Sequence, residues 1–253
     1  MKSLKDTISE SLITEKRFTP EVKSEREAIL NFINENYRVS PRGLKLRKEN
    51  DVWIVDYERS TLEVTNKSIT SLTNGLFQWG VVGGTFDCSY CENLMDLEGT
   101  PQKFHSLDCR YCKNLKSFKG CGEFYDLTCI GCDSLLSFEG LDVNNKKFRN
   151  IFAMECKNLK SLKGLPAKCF DVYLDNCTSL ESLKGGPKEV YLLSIAGCSN
   201  IKSWDGAPNT VEQGLFYGGC KNLKGQEPPC KFNGSAKAYY GYNGTTGASM
   251  IGR

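Results

Sequence analysis

Cysteine returns along this chain at a nearly constant interval, and that interval restricts the folds open to it. Cys91, Cys112, Cys132, Cys156, Cys177, Cys198 and Cys220 stand 21, 20, 24, 21, 21 and 22 residues apart. Three positions after each comes Leu94, Leu115, Leu135, Leu159, Leu180, Ile201 or Leu223. Six positions after the first six come Leu97, Phe118, Phe138, Leu162, Leu183 and Trp204. Eight positions after them come Gly99, Gly120, Gly140, Gly164, Gly185 and Gly206. Asn or Ser stands two after every one of the seven, and a proline closes four units at Pro101, Pro166, Pro187 and Pro208. Units this short cannot bury an apolar face alone, so they must stack and bury it together.

The unit reads apolar–x–apolar–x–x–Cys–x–Asn–Leu–x–Ser–Leu–x–Gly, as in VYLDNCTSLESLKGGP. The apolar–x–apolar stretch has strand periodicity, with alternate residues inward. The Asn or Ser at +2 is expected to satisfy turn amides, and the Gly at +8 suits a turn with positive φ or a close approach of the next coil. Cys88–Cys91, Cys109–Cys112 and Cys129–Cys132 are CxxC pairs separated by gaps that match a zinc pattern. The first cysteine of the pair continues down the repeats as Ala153, Leu174, Ile195 and Tyr217. A position that accepts those residues is a core position, where a thiol serves as a small hydrophobe. Stacking would still bring Cys88, Cys91, Cys109 and Cys112 near one another. The count of 13 cysteines is odd, so reduced thiols are expected rather than a disulfide framework. Cys121, Cys169 and Cys230 fall outside both series.

Over roughly residues 60–230 the unit resembles the leucine-rich repeat LxLxxNxLxxL, in the variety with Cys at the Asn position. The resemblance implies a mainly β solenoid of about seven 20–24-residue coils with a parallel concave sheet. It also implies a function of binding a protein partner through that concave face. Four regions follow: an amphipathic segment at 1–19, a cap and lead-in coil at 20–83, the solenoid at 84–230, and a C-terminal cap or tail at 231–253. In the cap, residues 20–37 read as a helix with Thr19 as N-cap and Val22, Ile29, Leu30, Phe32 and Ile33 as its apolar face. Leu44–Lys48 and Val52–Tyr57 flank Glu49-Asn50-Asp51 as a hairpin. Leu62, Val64, Ile69 and Leu72 form the lead-in coil. Leu4, Ile8, Leu12 and Ile13 make a short stripe in an opening that looks like the starts of structural and accessory proteins of tailed bacteriophages. That likeness implies an alternative role as a virion or assembly component docked through the N-terminal segment.

Other classes are disfavoured by composition. Net charge is +3, from 33 basic and 30 acidic residues, without the whole-chain basicity of a dedicated nucleic-acid binder. No apolar run is long enough for a membrane span, and none near the start has signal-peptide length, so a cytoplasmic location is expected, in the host or a virion if phage-encoded. The single histidine, His105, leaves no base for a cysteine nucleophile and no multi-histidine metal site. No enzyme activity, cofactor, metal or membrane contact is therefore expected. Lysines recur after the cysteines, as at Lys113, Lys116, Lys157, Lys160 and Lys202, and would align as a solubilising edge or as a contact for nucleic acid. The outward strand positions are more telling. They place Arg110, Tyr111, Ile130, Phe152, Met154, Tyr173 and Asp175 on one face, the expected partner-binding surface unless a tail folds over it.

Overall fold

The computed structural model describes residues 20–141 and 149–240. The stripe at Leu4–Ile13, the proposed N-cap Thr19 and the tail beyond 240 lie outside them. Helix α1 (Pro20–Asn36) starts at a proline, whose missing N–H is no loss in a first turn. Its inner face buries Ile29, Leu30 and Ile33, with Val22 and Phe32 partly covered. The chain leaves it as β1 (Tyr37–Arg38), antiparallel to β4 (Thr61–Val64). Strands β2 (Leu44–Glu49) and β3 (Val52–Tyr57) pair in register from Leu44↔Tyr57 to Glu49↔Val52. Their two-residue turn holds Asn50 and Asp51 at φ 49° and 63°, the left-handed pair that matches strand twist. Strand β5 (Gln78–Val82) adds to β3 in parallel. Trp79 packs edge-on against Tyr37 and Phe77, each at 5.1 Å, and the Tyr37 hydroxyl donates to the Leu72 carbonyl.

From β4 onward the chain is a parallel β-solenoid. Its rungs are β4, then β6 (Thr85–Asp87), β7 (Ser106–Asp108), β8 (Asp126–Thr128) and β9 (Ile151–Phe152). These are followed by β10 (Lys168–Tyr173), β11 (Glu189–Ser194) and β12 (Thr210–Phe216). Strands β13 (Lys231–Phe232) and β14 (Lys237–Tyr239) share the last rung beside β12. The stack thus has nine rungs where the cysteine count suggested about seven coils. The two additions are the lead-in coil and residues 231–240, which pair as strand although the repeat has decayed there. At about 4.8 Å per rung the stack is roughly 40 Å long. Inside it, Leu62, Phe86, Leu107, Leu127, Ile151, Val172, Leu193 and Leu215 form one buried column. Cys169 joins another, paired with Val190, which accounts for a cysteine outside the repeat pattern.

The recurrent cysteine does more than fill volume. The Cys112 thiol donates to the Cys88 carbonyl at 3.1 Å, Cys132 to Cys109 at 3.1 Å and Cys156 to Cys129 at 3.0 Å. Cys177, Cys198 and Cys220 donate in the same way to Ala153, Leu174 and Ile195, at 3.0–3.1 Å. Each coil therefore bonds a buried carbonyl of the coil before it, and the carbonyls of Cys88, Cys109, Leu174 and Ile195 also accept the backbone N–H three residues on. A second ladder runs beside the first. The side-chain amides of Asn114 and Asn158 donate to the Glu92 and Asp133 carbonyls of the preceding coil at 2.8 and 2.7 Å. These asparagines thus bond between coils, rather than to the amides of their own turn.

Two left-handed corners close each coil. One is the residue before the cysteine: Tyr90, Tyr111, Gly131, Glu155, Asn176, Gly197 and Gly219 all have positive φ. For the non-glycines this costs about 1–3 kcal/mol apiece. It is offset because the corner N–H bonds the next coil, as from Tyr90 to the Arg110 carbonyl at 2.7 Å. The other corner is the glycine at +8. At Gly164 (φ 100°) a Cβ would lie 2.1 Å from the Phe138 carbonyl oxygen, so no other residue fits.

A donor role for the ladder thiol has a distinctive mutational signature. Cys177→Ala removes the donor and should cost about 1–3 kcal/mol in urea unfolding, because the Ala153 carbonyl is stranded. Cys177→Ser keeps a donor and should cost less than Ala; a costlier Ser would show that only thiol volume matters. Burial also pushes the Cys169 and Cys220 thiols up to about 12. The native state keeps those protons while unfolded thiols lose theirs near pH 8.5. Stability under reducing conditions should hold below pH 8.5 and fall by at least about 1 kcal/mol as pH rises from there to 11.

Candidate functional site

The outward face of the parallel sheet is built by register. Asp87, Asp108, Thr128, Phe152, Tyr173, Ser194, Phe216 and Tyr239 form a single line across successive rungs. Because neighbours in a line are one strand spacing apart, flat side chains stack. Phe152 and Tyr173 do so at 5.2 Å with planes 11° apart, and Phe216 and Tyr239 at 4.9 Å and 10°. Tyr90 and Tyr111 stack at 5.1 Å on the adjoining corner.

The seven residues expected on this face divide into two groups. Arg110, Tyr111, Phe152 and Tyr173 are partly exposed. Arg110 is held by Asp108, with its Nε 3.0 Å from Oδ1 and a terminal nitrogen 2.7 Å from Oδ2. Ile130, Met154 and Asp175 are buried, with 9%, 7% and 3% of their surface exposed. They occupy one column just before the corner, where the chain turns and neighbouring coils crowd them. Asp175 is a structural carboxylate: it accepts from the Ser194 hydroxyl and from the Ala196 N–H at 2.9 Å. Burial raises its pKa, and those two hydrogen bonds only partly oppose the rise.

A further aromatic pair escaped the alternation rule. Phe170 and Tyr191 stack at 4.4 Å with planes 8° apart, and Phe170 is 50% exposed. Strict alternation would put Phe170 inside, but both Phe170 and Asp171 turn away from the core. The recoverable signal was position: both aromatics stand seven before a ladder cysteine, as His105 and Tyr125 do, whose rings meet at 5.3 Å. Between the two aromatic lines runs a polar one. Asn150 donates from its side chain to Asp126 at 2.9 Å, and His105 Nε2 lies 3.5 Å from the other Asp126 oxygen. Next to them, Asn150 Oδ1 and Asp171 Oδ1 are buried without a hydrogen-bond partner. Burial raises the Asp171 pKa.

The lysine edge is laced by contacts between coils. Lys113 pairs with Glu92, Lys163 with Glu139 and Lys202 with Glu181, each at 2.6 Å. The Lys163 and Lys202 ammonium groups hold Glu139 and Glu181 below the usual carboxylate range. Lys116 and Lys160 have no ion-pair partner among the described residues. Among those residues no three His, Cys, Asp or Glu side chains converge as a metal-binding group, and no helix is long and apolar enough to cross a membrane. Comparison with protein-family models, with curated proteins and with solved structures returned no match.

The structural role of Asp175 is separable from any contact role. Asp175→Ala should cost about 1–3 kcal/mol, because a buried N–H and hydroxyl lose their acceptor. Asp175→Asn keeps an acceptor and removes a buried charge. A raised native carboxyl pKa contributes stability below the unfolded value that is lost as pH rises. The Asn variant should therefore gain on the wild type in thermal melts between pH 4 and pH 7. A gap that widens the other way would show that the charge is stabilising.

Proposed function

We propose that this chain is a non-catalytic leucine-rich-repeat module that binds a protein partner on the outward, concave face of its parallel sheet. The observation that carries this reading is the set of stacked aromatic pairs on that face, left partly exposed by the described chain. Aromatic anchors supply large contact area at little loss of side-chain freedom and dominate binding hot spots. The single histidine speaks for binding rather than catalysis. The runner-up is a virion or assembly component docked through the N-terminal segment; the paired lysines speak against a third reading, a nucleic-acid contact along the edge.

Capture from native lysate with mass spectrometry identifies the partner, and calorimetry then separates the surfaces. Phe152→Ala or Tyr173→Ala should weaken binding by about 2 kcal/mol or more without changing the melting temperature. Lys116 and Lys160 changed together to Ala should do far less and alter mainly the salt dependence. Loss of binding in the lysine variant with none in the aromatic variants would transfer the function to the edge.

A further inference from the structure

The lead-in coil closes on a turn of reactive composition. Thr73 accepts the Leu76 N–H at 3.0 Å across Asn74 and Gly75, whose φ angles are 48° and 70°. Positive φ at both central positions is the type I′ hand. Both central residues are exposed, and a Cβ on Gly75 would meet nothing within 4 Å. The Asn74 N–H is tied to Ser71 Oγ at 3.0 Å. The Asn74 side-chain amide, the Asn74 carbonyl and the Gly75 N–H have no hydrogen-bond partner among the described residues.

An Asn–Gly step holds both partners of a cyclisation. The glycine nitrogen attacks the side-chain amide carbon, a C–N bond forms, and ammonia leaves a succinimide. Water then opens the ring at either carbonyl, to aspartate or to isoaspartate, which has one more methylene in its backbone. Attack requires the peptide between the two residues to swing its nitrogen toward the side chain. Here ψ of Asn74 and φ of Gly75 can counter-rotate and flip that peptide, because glycine accepts either sign of φ. The turn passes from type I′ to II′ with the Thr73–Leu76 bond kept. Asn233–Gly234, the second described Asn–Gly step, is held. Asn233 opens its turn, with its carbonyl accepting the Ala236 N–H at 3.1 Å and its N–H bonding the Val211 carbonyl at 3.1 Å. Flipping that peptide breaks the bond that closes the turn.

We propose that Asn74 is a modification site, converted through a succinimide to isoaspartate and aspartate ahead of Asn233, and that the isoaspartyl form loosens the joint between cap and solenoid. The joint lies against this turn. Thr73 is buried, and a Cβ on Gly99 of the first repeat would lie 3.2 Å from its Oγ1. The neighbouring Leu72 carbonyl accepts the buried Tyr37 hydroxyl. A lengthened backbone at Asn74 shifts both contacts. The inference is independent of the sheet face and its partner.

Full-length protein held warm at neutral pH tests it, with peptide mapping by mass spectrometry to follow the amide-to-acid conversion at each site. In the native protein Asn74 should convert about fivefold faster than Asn233, the rate equivalent of one hydrogen bond broken beforehand. In urea the two rates should converge, because neither turn survives. Protein enriched in the isoaspartyl form should exchange amide hydrogens faster than fresh protein at residues 72–77 and 99–100. Freshly prepared Asn74→Asp, which has the charge without the added methylene, should exchange like the wild type there. An Asn74 that stays intact, or converts no faster than Asn233 in the native protein, overturns the proposal. So does a preference for Asn74 that persists in urea, since local sequence would then explain it. Exchange indifferent to the isoaspartyl form, or equally fast in Asn74→Asp, overturns the loosening by the lengthened backbone.

Discussion

Everything in the solenoid depends on how one coil registers against the next, and the thiol-to-carbonyl bond sets that register from inside. Strand pairing alone leaves a parallel stack able to slip, since each rung is only two to seven residues long. The cysteine sits past the strand, where the chain has begun to turn and backbone pairing gives out. There its Sγ reaches the carbonyl three positions before the cysteine of the preceding coil, six times in succession. A thiol is small enough for the crowded interior and still has a proton to donate. Valine or alanine would supply only the first property and serine less of the packing. The asparagine ladder repeats the logic nearer the surface.

That internal lock explains what the outside looks like. Once successive coils are superposed, identical positions fall into lines one strand spacing apart. Flat side chains in a line stack, opposite charges in a line pair, and glycines in a line let coils approach. Phe152 on Tyr173, Lys113 with Glu92, and Gly164 over Phe138 are three outcomes of the same superposition. The outward face of the sheet is therefore a consequence of the repeat, decorated differently at each rung.

Much of this was legible in the residues. The period located the coils, and the mixed series Cys88, Cys109, Cys129, Ala153, Leu174, Ile195 and Tyr217 identified an inward position, now fully or almost fully buried. The helix and the hairpin of the cap were readable from Pro20 and from the Asn50–Asp51 turn. The ninth rung was left open between a cap and a tail because β14 pairs through its backbone, without a cysteine to mark it. Phe170 was hidden because a strand that bends breaks the alternation on which a sequence reading relies. The burial of Asp175, Met154 and Ile130 was hidden too. Alternation says which side of a sheet a residue faces, and says nothing about how closely neighbouring coils crowd it there.

The ladder itself can be observed without changing a residue. A thiol that donates to a carbonyl has a weakened S–H bond, so its Raman S–H stretch falls below that of a thiol in water. The native protein should show close to half of its S–H intensity at the lowered position, from the six ladder thiols among thirteen cysteines, and unfolding in urea should return it to the position of a solvated thiol. A native band already at the solvated position would contradict the account. So would the absence of S–H intensity, which would mean that the cysteines are bridged or bound to metal rather than bonded from coil to coil.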